Sequence, residues 1–438
     1  MVKIGFLKDE PIILAAVAAK ISRTPFEKGN IEDLYEECRG KELEEKAKKL
    51  ENSGHFKRAE GLREESRKRI KDSEKLVNRI MRGSRHLIFG DFLPYAITLE
   101  DLSRLAAVYL WRNVAVHNLL VGMGLETSLR LIKANRYNKI VSDFGENAFE
   151  TYEKAIELGV PEQDARYMLP EGTLTRMIFT APPRYLVKLA HALQGTPLLE
   201  LQEIGDKIET LVEKKFSFRI PKEELPSKWE FWGKTDIEQK IYLDYGGTIH
   251  SLSLNGKIQG SLSMYAQLVR QRQILCCIEP LEGIARKARF VLPKSFPDSA
   301  RKDYLEIAAS VHEEQMKLIE KKDPNFVYFL LLGQVASSII YGKGAGIIET
   351  SRARSEGVAQ WEIRNEVGIP LTRELAKHKE LRDQIGPRCW REGRCIEPTT
   401  FKTRKQVCRA FEISNGNWKG SLEELLDVLS EPYETFTI

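Results

Sequence analysis

The chain has 438 residues, of which 42% are hydrophobic, so it is long enough for two or three domains with ordinary cores. Its 68 Lys and Arg residues against 63 Asp and Glu leave a formal charge of +5, far from the surplus of a dedicated nucleic-acid-binding protein. We expect a soluble, cytoplasmic protein, because no apolar run could span a membrane, the start MVKIGFLKDE lacks a signal-peptide layout, and six cysteines make no disulfide scaffold.

The first half of the chain predicts a strand followed by several helices. Hydrophobic periodicity predicts these elements: a strand near Ile4 and Phe6, helices over 12–21 and 99–118, a strand over 86–92, and helices over 146–158 and 186–214. Residues 41–82 are densely charged with a thin apolar stripe, broken at Gly54 and Gly61. Such a run is typical of solvated helices packed along one edge, and the alternative is a protruding arm for a partner or nucleic acid.

The second half repeats this order. Residues 216–243 hold two prolines and two tryptophans without a clear period, which predicts a linker. A strand over 249–254 follows, and then helices over 262–275, 305–319 and about 347–381. The strand–helix–helix–helix order seen twice predicts an internal duplication, with repeats over 1–215 and 244–385 and a cysteine-bearing tail over 386–438.

Four segments carry a family resemblance. They are LAAVAAKISRTPF near the start, TYEKAIELGVPEQDARYMLP (151–170), RSEGVAQWEI (354–363) and GPRCWREGRC (386–395). In this order they resemble the flavin-dependent thymidylate synthases. The resemblance implies an α+β fold, here as two tandem repeats, each a mixed or antiparallel sheet with long helices.

The family signature, RHRxxSxNExSxRY, is divided between the halves. The C-terminal half has Gln267-Leu-Val-Arg270-Gln-Arg272, with Gln271 where the family has histidine. The N-terminal half has Leu125-Glu126-Thr-Ser128-Leu-Arg130, which matches only the end of the signature, and Leu125 replaces its asparagine. The two halves are therefore incomplete in complementary ways.

The resemblance implies a role for each matching residue. Gln267, Arg270 and Arg272 would bind FAD, since guanidinium groups form charge-assisted hydrogen bonds with a pyrophosphate. Glu126, Ser128, Arg130 and Arg166 would bind the nucleotide. Arg354 would contact the pyrimidine carbonyl and stabilise negative charge developing on the ring. The alternatives are solvent-facing arginines at 270 and 272, a helix-capping Ser128, and an Arg166 stem packed on apolar neighbours with its head in water.

The implied function is FAD-dependent one-carbon transfer to a pyrimidine nucleotide, converting dUMP to dTMP at a site shared between the repeats. The family also implies NADPH, a methylene-tetrahydrofolate-type carrier, and a homodimer that imitates the family tetramer. The alternative is a non-catalytic paralogue that keeps the scaffold for nucleotide or protein binding. Binding of nucleic acid through residues 41–82 is disfavoured, since their charges are mixed.

Other candidate groups carry less chemistry. We interpret His86 and His250 as core or supporting histidines, Cys276 and Cys277 as core residues, and Gly342 to Gly346 as a turn. Cys389, Cys395 and Cys408 lack the spacing of a standard zinc site. A disulfide, a metal site with an outside ligand and three free thiols all remain open for them, and no metal ligand is assigned.

Overall fold

A computed structural model describes most of the chain. The described residues are 16, 38, 41–83, 95–116, 125–126, 139–216, 241–269, 271, 274–395, 408–415 and 417–438. The chain divides into two compact units, the first made of residues 1–99, 119–125 and 177–229, and the second of residues 100–118, 126–176 and 230–438. No helix among the described residues is both long and apolar enough to cross a membrane.

The first unit contains a charged helical hairpin. Helices α1 (Lys41–Asn52) and α2 (Phe56–Gly83) pack along each other, and Arg63 donates to both carboxylate oxygens of Glu51 at 2.9 and 2.5 Å. The turn between the helices is at Gly54, whose φ of 83° favours glycine. Gly61 lies inside α2, so the second predicted break is wrong. The hairpin agrees with helices packed along one edge.

Most of the remaining elements follow in chain order. They are β1 (Tyr95–Ser103), α3 (Arg104–Val116), β2 (Leu125–Glu126), α4 (Ser142–Glu157), β3 (Leu174–Ala181), α5 (Pro183–Gln194), α6 (Leu199–Phe216), β4 (Ile241–Asp244), β5 (Ser253–Ser261), α7 (Leu262–Leu268), β6 (Ile274–Ile278), α8 (Leu281–Lys287), β7 (Arg289–Leu292), α9 (Asp298–Glu320), β8 (Val335–Lys343), α10 (Ala345–Ser355), α11 (Ile369–Ala376), α12 (Leu422–Leu429) and β9 (Glu434–Thr437). One-turn and 3₁₀ segments connect several of them.

The sheets are small, and the fold is α+β and rich in helices. Strand order is β1-β3-β2 in one sheet and β4-β5-β8-β6 in a second. The second sheet is antiparallel throughout, with Gly256 opposite Ile340 in β5–β8 and Cys276 opposite Ile340 in β6–β8. In both sheets the last strand along the chain lies between two earlier ones.

Aromatic side chains fill the core of the second unit. Tyr167, Tyr304 and Tyr328 are fully buried, and the Tyr304 ring meets those of Phe296 and Phe436 edge-on at 5.5 Å between centroids. Strand β9 pairs with β7, which brings the C-terminal strand of the chain into this core. The C-terminal residues therefore contribute to the packing of the unit.

Two segments of the second unit pair with each other in a matched way. Glu171 N donates to Leu330 O at 2.7 Å, and Leu332 N donates to Leu169 O at 2.9 Å. Pro170 and Leu331, the middle residues, form an antiparallel bridge. The two bonds are equivalent: in each, the residue after the bridge in one segment donates to the residue before the bridge in the other segment.

The same exchange extends on both sides of this bridge. Four more backbone hydrogen bonds form two equivalent pairs. In the first pair, Gly172 N donates to Tyr328 O at 2.9 Å and Gly333 N donates to Tyr167 O at 3.1 Å. In the second pair, Arg104 N donates to Thr173 O at 2.7 Å and Leu262 N donates to Gln334 O at 2.9 Å. The starts of α3 and α7 also match, because Ser103 Oγ accepts from Ala106 N and Ser261 Oγ accepts from Met264 N, each at 3.0 Å. Both serines are N-caps of the ordinary kind.

Several predicted element boundaries are wrong. The predicted strand at 249–254 is a 3₁₀ turn over Ile249–Ser251 followed by β5, and His250 is exposed and not in the core. The predicted helix over 262–275 ends at Leu268, because the next residues enter β6. The predicted helix over 99–118 begins only after β1 ends at Ser103. The predicted elements at 4–6, 12–21 and 86–92, with His86, fall outside the described residues, apart from residue 16.

Candidate functional site

A buried carboxylate lies at the centre of the best-defined polar cluster. Glu362 is fully buried on a single helical turn, Trp361–Ile363. Its carboxylate accepts hydrogen bonds from the backbone N–H and hydroxyl of Ser261 and from the hydroxyl of Tyr167, each at 2.5 Å. Gln360 donates its amide to the Tyr167 hydroxyl. Three donors therefore compensate the burial of the Glu362 carboxylate, and Gln360 compensates that of the Tyr167 hydroxyl.

Asp164 forms the neighbouring part of this cluster. Its Oδ1 accepts from Trp361 Nε1 at 2.8 Å, and its Oδ2 accepts from the Ser295 hydroxyl at 2.6 Å. Asp164 and Tyr167 lie on the DARYMLP segment, whereas Gln360, Trp361 and Glu362 lie on the AQWEI segment. The fold thus joins two motifs that are almost 200 positions apart through buried hydrogen bonds.

Burial raises the pKa of the acidic groups in this cluster. The pKa of Glu362 is raised by burial and lowered to a smaller extent by the hydrogen bonds from Ser261 and Tyr167. The pKa of Asp164 is likewise raised by burial, against the hydrogen bonds from Ser295 and Trp361. Burial, followed by the charge of Glu362, raises the pKa of Tyr167 far above the usual value for tyrosine. Tyr167 therefore stays protonated and acts as a hydrogen-bond donor.

Arg354 lies beside the segment that resembles the flavin-binding half of the signature. It is half-buried in the last turn of α10, and its Nη2 donates to the Gln267 carbonyl at 3.2 Å. The side-chain oxygen of Gln271, with the amide oriented toward the guanidinium, accepts from Arg354 Nε at 3.1 Å. Gln271, the residue that replaces the family histidine, thus contacts the arginine that the resemblance identifies as catalytic.

Helix α7 connects the two groups of side chains. Its N-cap, Ser261, is bound by Glu362, and Gln267 near its end accepts the bond from Arg354. Seven residues of helix span about 10 Å at 1.5 Å per residue, so the two groups lie at the two ends of one short rod. The position of α7 therefore depends on Glu362 and Arg354.

A close backbone contact supports Arg354. Residues Arg364–Gly368 form a π-helical turn, a deviation that is frequent at functional sites. Gly368 packs against the Arg354 carbonyl oxygen so closely that a Cβ there would clash with backbone atoms. Only glycine fits this position, which keeps the π turn in contact with the end of α10.

The C-terminal segment covers this π turn. Arg364 is buried, and its guanidinium donates to the Leu429 carbonyl at 2.9 Å and to the Glu431 carboxylate. The Tyr433 hydroxyl donates to Glu366 at 2.9 Å. Burial, with a smaller contribution from the charge of Glu362, raises the pKa of Glu366 to about 7, against the opposing hydrogen bond from Tyr433. The residues after 417 thus hold the turn that follows the AQWEI motif.

Three of the predicted site residues are described with their side chains, namely Arg166, Gln267 and Arg354. Arg166 is half-buried and interacts electrostatically with Asp164 and Tyr167. Glu126 lies on strand β2, with its side chain outside the described part. Ser128, Arg130, Arg270 and Arg272 lie outside the described residues.

Sequence reasoning missed most of the buried cluster. Asp164, Tyr167, Ser261, Gln360 and Glu362 were not singled out, although four of them lie inside the quoted motifs. The available signal was the presence of charged and polar residues in otherwise apolar segments. Their shared role depends on contacts between distant parts of the chain.

No disulfide joins the cysteines among the described residues. Burial and the nearby charge of Glu356 raise the pKa of Cys389 to about 12, and burial also raises the pKa of Cys408. These thiols are therefore protonated at neutral pH. Within the described ranges, no three His, Cys, Asp or Glu side chains are grouped in a way that could hold a metal ion.

The comparisons with known proteins agree with these motifs in the first half of the chain. A family model described as thymidylate synthase complementing protein matches residues 11–216. Residues 11–216, slightly less than half of the chain, are therefore similar to the flavin-dependent thymidylate synthase family. The flavin-dependent thymidylate synthase of Sulfurisphaera tokodaii is 41% identical over 51 residues, 12% of this chain and 20% of that protein. The chain thus spans about a fifth of the length of this curated relative.

The family match covers only part of the polar cluster. The matched range includes Glu126, Asp164, Arg166 and Tyr167, and it ends before the segments with Gln267, Arg354 and Glu362. Hydrogen bonds of Tyr167 and Asp164 connect the two parts. Flavin dependence is a property of the family as a whole.

The side chain of Gln267 provides a structural test of whether a flavin fits. Its Nε2 is buried, and it has no hydrogen-bond acceptor among the residues that the structure describes. A buried donor of this kind needs a partner, and flavin carbonyls and phosphate oxygens are acceptors. The described residues at this position therefore fit an acceptor-rich cofactor.

Proposed function

We propose that the protein is an FAD-dependent enzyme that transfers a one-carbon unit to a pyrimidine nucleotide, with dUMP as substrate and dTMP as product. The observation that carries the proposal is the position of Arg354. Its guanidinium donates to the Gln267 carbonyl, and its helix α10 precedes the AQWEI turn, which is hydrogen-bonded to the family-matched segment at Asp164 and Tyr167. This arrangement supports a site shared between the two halves of the chain.

Each residue has a physical role in this proposal. Arg354 is held in advance by a backbone carbonyl and an amide oxygen, so its charge can stabilise negative charge on the pyrimidine ring without reorganisation. Arg166 would pair with the nucleotide phosphate, together with Glu126, Ser128 and Arg130. Glu362 positions α7 through Ser261.

The cofactor-binding residues would be Gln267, through its buried amide donor, and the pair Arg270 and Arg272. When bound, reduced FAD would supply the hydride and a methylene-tetrahydrofolate-type carrier the carbon, with NADPH as the reductant. Half-buried Arg354 is close to the same segment. A homodimer with sites assembled from both halves is part of the proposal.

The visible spectrum of the full chain tests the proposal. After addition of FAD and removal of the excess, we expect flavin absorbance to remain, and we expect dUMP to perturb it. Arg354→Ala should retain flavin and lose the response to dUMP. Arg352→Ala is the matched control, since Arg352 lies on the same helix and binds Gln384 O and Glu349 instead. A chain that retains no flavin would refute the proposal.

One substitution favours a second candidate function. Gln271 stands where the family has histidine, and an amide cannot titrate or carry a positive charge. The alternative is a non-catalytic scaffold that still binds a nucleotide. Binding of dUMP by calorimetry in the absence of any retained flavin would support this alternative.

A further inference from the structure

The four-stranded sheet of the second unit, with strand order β4-β5-β8-β6, is covered by helices on one face. A Cβ at Gly260 of β5 would meet Met264 of α7, and a Cβ at Gly342 of β8 would meet Ile347 of α10. Side chains alternate between the two faces along a strand. Tyr341, the neighbour of Gly342, therefore lies on the other face, which we call the open face.

Two exposed tyrosines lie in one row across the open face. The register places Asn255 of β5 directly opposite both Tyr242 of β4 and Tyr341 of β8, and directly opposite residues share a face. Tyr242 is 45% exposed and Tyr341 is 40% exposed. Because neighbouring strands are about 4.8 Å apart, the backbones of the two tyrosines are about 10 Å apart along this row.

Lysines lie in the rows on either side of the tyrosines. In one neighbouring row Lys343 is opposite Ser253, and in the other Lys257 is opposite Ile339. Lys343 is exposed and Lys257 is half-buried. The row with the two aromatic rings is therefore bordered on both sides by an ammonium group.

The carboxylates among the described residues of this face lie at its ends. Asp244 is the last residue of β4, and Glu279 follows the last residue of β6. Glu279 forms an ion pair with Lys287, which compensates its charge. The centre of the open face thus combines aromatic, amide and cationic groups, which are complementary to bases linked by phosphates.

We propose that the open face binds single-stranded RNA. Exposed aromatic rings on a sheet stack bases, and cationic side chains beside them contact the phosphates. Consecutive bases of a duplex strand are stacked about 3.4 Å apart, so only a single strand with splayed bases places separate bases on rings about 10 Å apart.

The groups between the rings favour RNA as the single strand. The Asn255 amide both donates and accepts, as base edges require. The Ser253 hydroxyl in the next row can bind a 2′-hydroxyl, the group that distinguishes RNA from DNA. Stacking does not depend on net charge, so the small formal charge of the chain is compatible with this surface.

Fluorescence anisotropy of labelled oligouridylate with the full chain tests the proposal. We expect saturable binding that excess dUMP does not displace, and weaker binding of the deoxy oligonucleotide of the same length. No binding of the RNA, or its displacement by dUMP, would overturn the proposal. Equal affinity for the deoxy strand, or a preference for duplex RNA, would overturn the assignment to single-stranded RNA.

Tyrosine variants assign the binding to the open face. Tyr242→Ala and Tyr341→Ala should each weaken binding about tenfold, and the corresponding phenylalanine variants should bind like the wild type because they keep the ring. Ile413→Ala is the matched control, since Ile413 is an apolar side chain of the same unit that is 61% exposed. Wild-type affinity in the two alanine variants, folded by circular dichroism, would overturn the proposal.

The salt dependence of binding tests the lysines. Replacing Lys257 and Lys343 together by glutamine should reduce the slope of log affinity against log salt by about 1.4, since each phosphate contact on a single strand contributes about 0.7. The control replaces two exposed lysines of α9, Lys302 and Lys317, by glutamine and removes the same charge. An equal change of slope in both double variants would overturn the placement of the phosphates on the open face.

Discussion

Replacing Glu366 by glutamine should make the protein more stable at alkaline pH and change little at acidic pH. The pKa of Glu366 is raised from 4.5 to about 7, first by burial and then by the charge of Glu362, with the hydrogen bond from Tyr433 acting in the opposite direction. The folded chain therefore retains a proton that the unfolded chain releases. The wild-type chain therefore has its full free energy of unfolding from this group below about pH 4.5, and it loses that contribution as the pH rises through about 7.

The size of the effect follows from these two pKa values. At about 1.4 kcal/mol per pKa unit, the higher pKa of Glu366 in the folded chain lowers the free energy of unfolding by about 3 kcal/mol at pH 8 and about 1 kcal/mol at pH 5, relative to a side chain that stays neutral. Glutamine resembles the protonated acid, and its carbonyl can still accept the bond from Tyr433. Glu366→Gln should therefore gain about 2 kcal/mol over the wild type between pH 5 and pH 8.

Urea unfolding followed by tryptophan fluorescence at pH 5 and pH 8 measures this difference. Subtracting the free energy of unfolding of the variant from that of the wild type at each pH removes the contribution of the other titrating groups. Glu306→Gln, on the exposed face of α9, controls for the loss of one negative charge. The reasoning would be refuted if the difference in free energy of unfolding between wild type and Glu366→Gln were the same at both pH values, or smaller at pH 8 than at pH 5.

Three further predictions concern packing around the same cluster. Gly368→Ala should lower the free energy of unfolding by about 1–3 kcal/mol, because its Cβ would clash with the Arg354 backbone. Gly61→Ala, in open space within α2, should raise it by about 0.5–1 kcal/mol, and chemical denaturation measures both changes. Trp361→Phe should cost about 1–3 kcal/mol because it removes a donor from buried Asp164, with Trp418→Phe, whose bond is exposed, as the near-neutral control in the same assay. Ending the chain at residue 416 should lower the melting temperature and increase binding of a hydrophobic dye, because it removes α12 with two fully buried leucines and uncovers Phe290; an unchanged melting temperature would contradict the role given to this segment.

Much of the local structure could be predicted from the sequence, because hydrophobic periodicity reports which face of a helix is buried. The helices around 146–158 and 305–319 were predicted near their observed positions. The single helix predicted over 186–214 is wrong, because α5 ends at Gln194 and α6 begins at Leu199. The errors fall where a strand and a helix join without a break, as at Ser103–Arg104 and at the end of α7. There the apolar pattern continues across the junction, and only pairing with another strand distinguishes the two elements.

The candidate site was predictable only in part. Arg354 and Gln267 were identified from motif resemblance, and the structure brings them within hydrogen-bond distance. Glu362 was not identified, because a carboxylate in a helical run usually faces solvent. Its importance comes from Ser261 and Tyr167, which lie roughly a hundred or more positions away along the chain.

The sequence by itself determined the class of fold, the family resemblance and the residue types available for chemistry, since these depend on local pattern and composition. The tertiary structure decided which of those residues meet. Whether Asp164 faces Trp361, and whether Glu366 is covered by Tyr433, depends on how strands pair and on where the C-terminal segment packs. These contacts form because a buried polar group must find a partner, and that partner can come from any part of the chain.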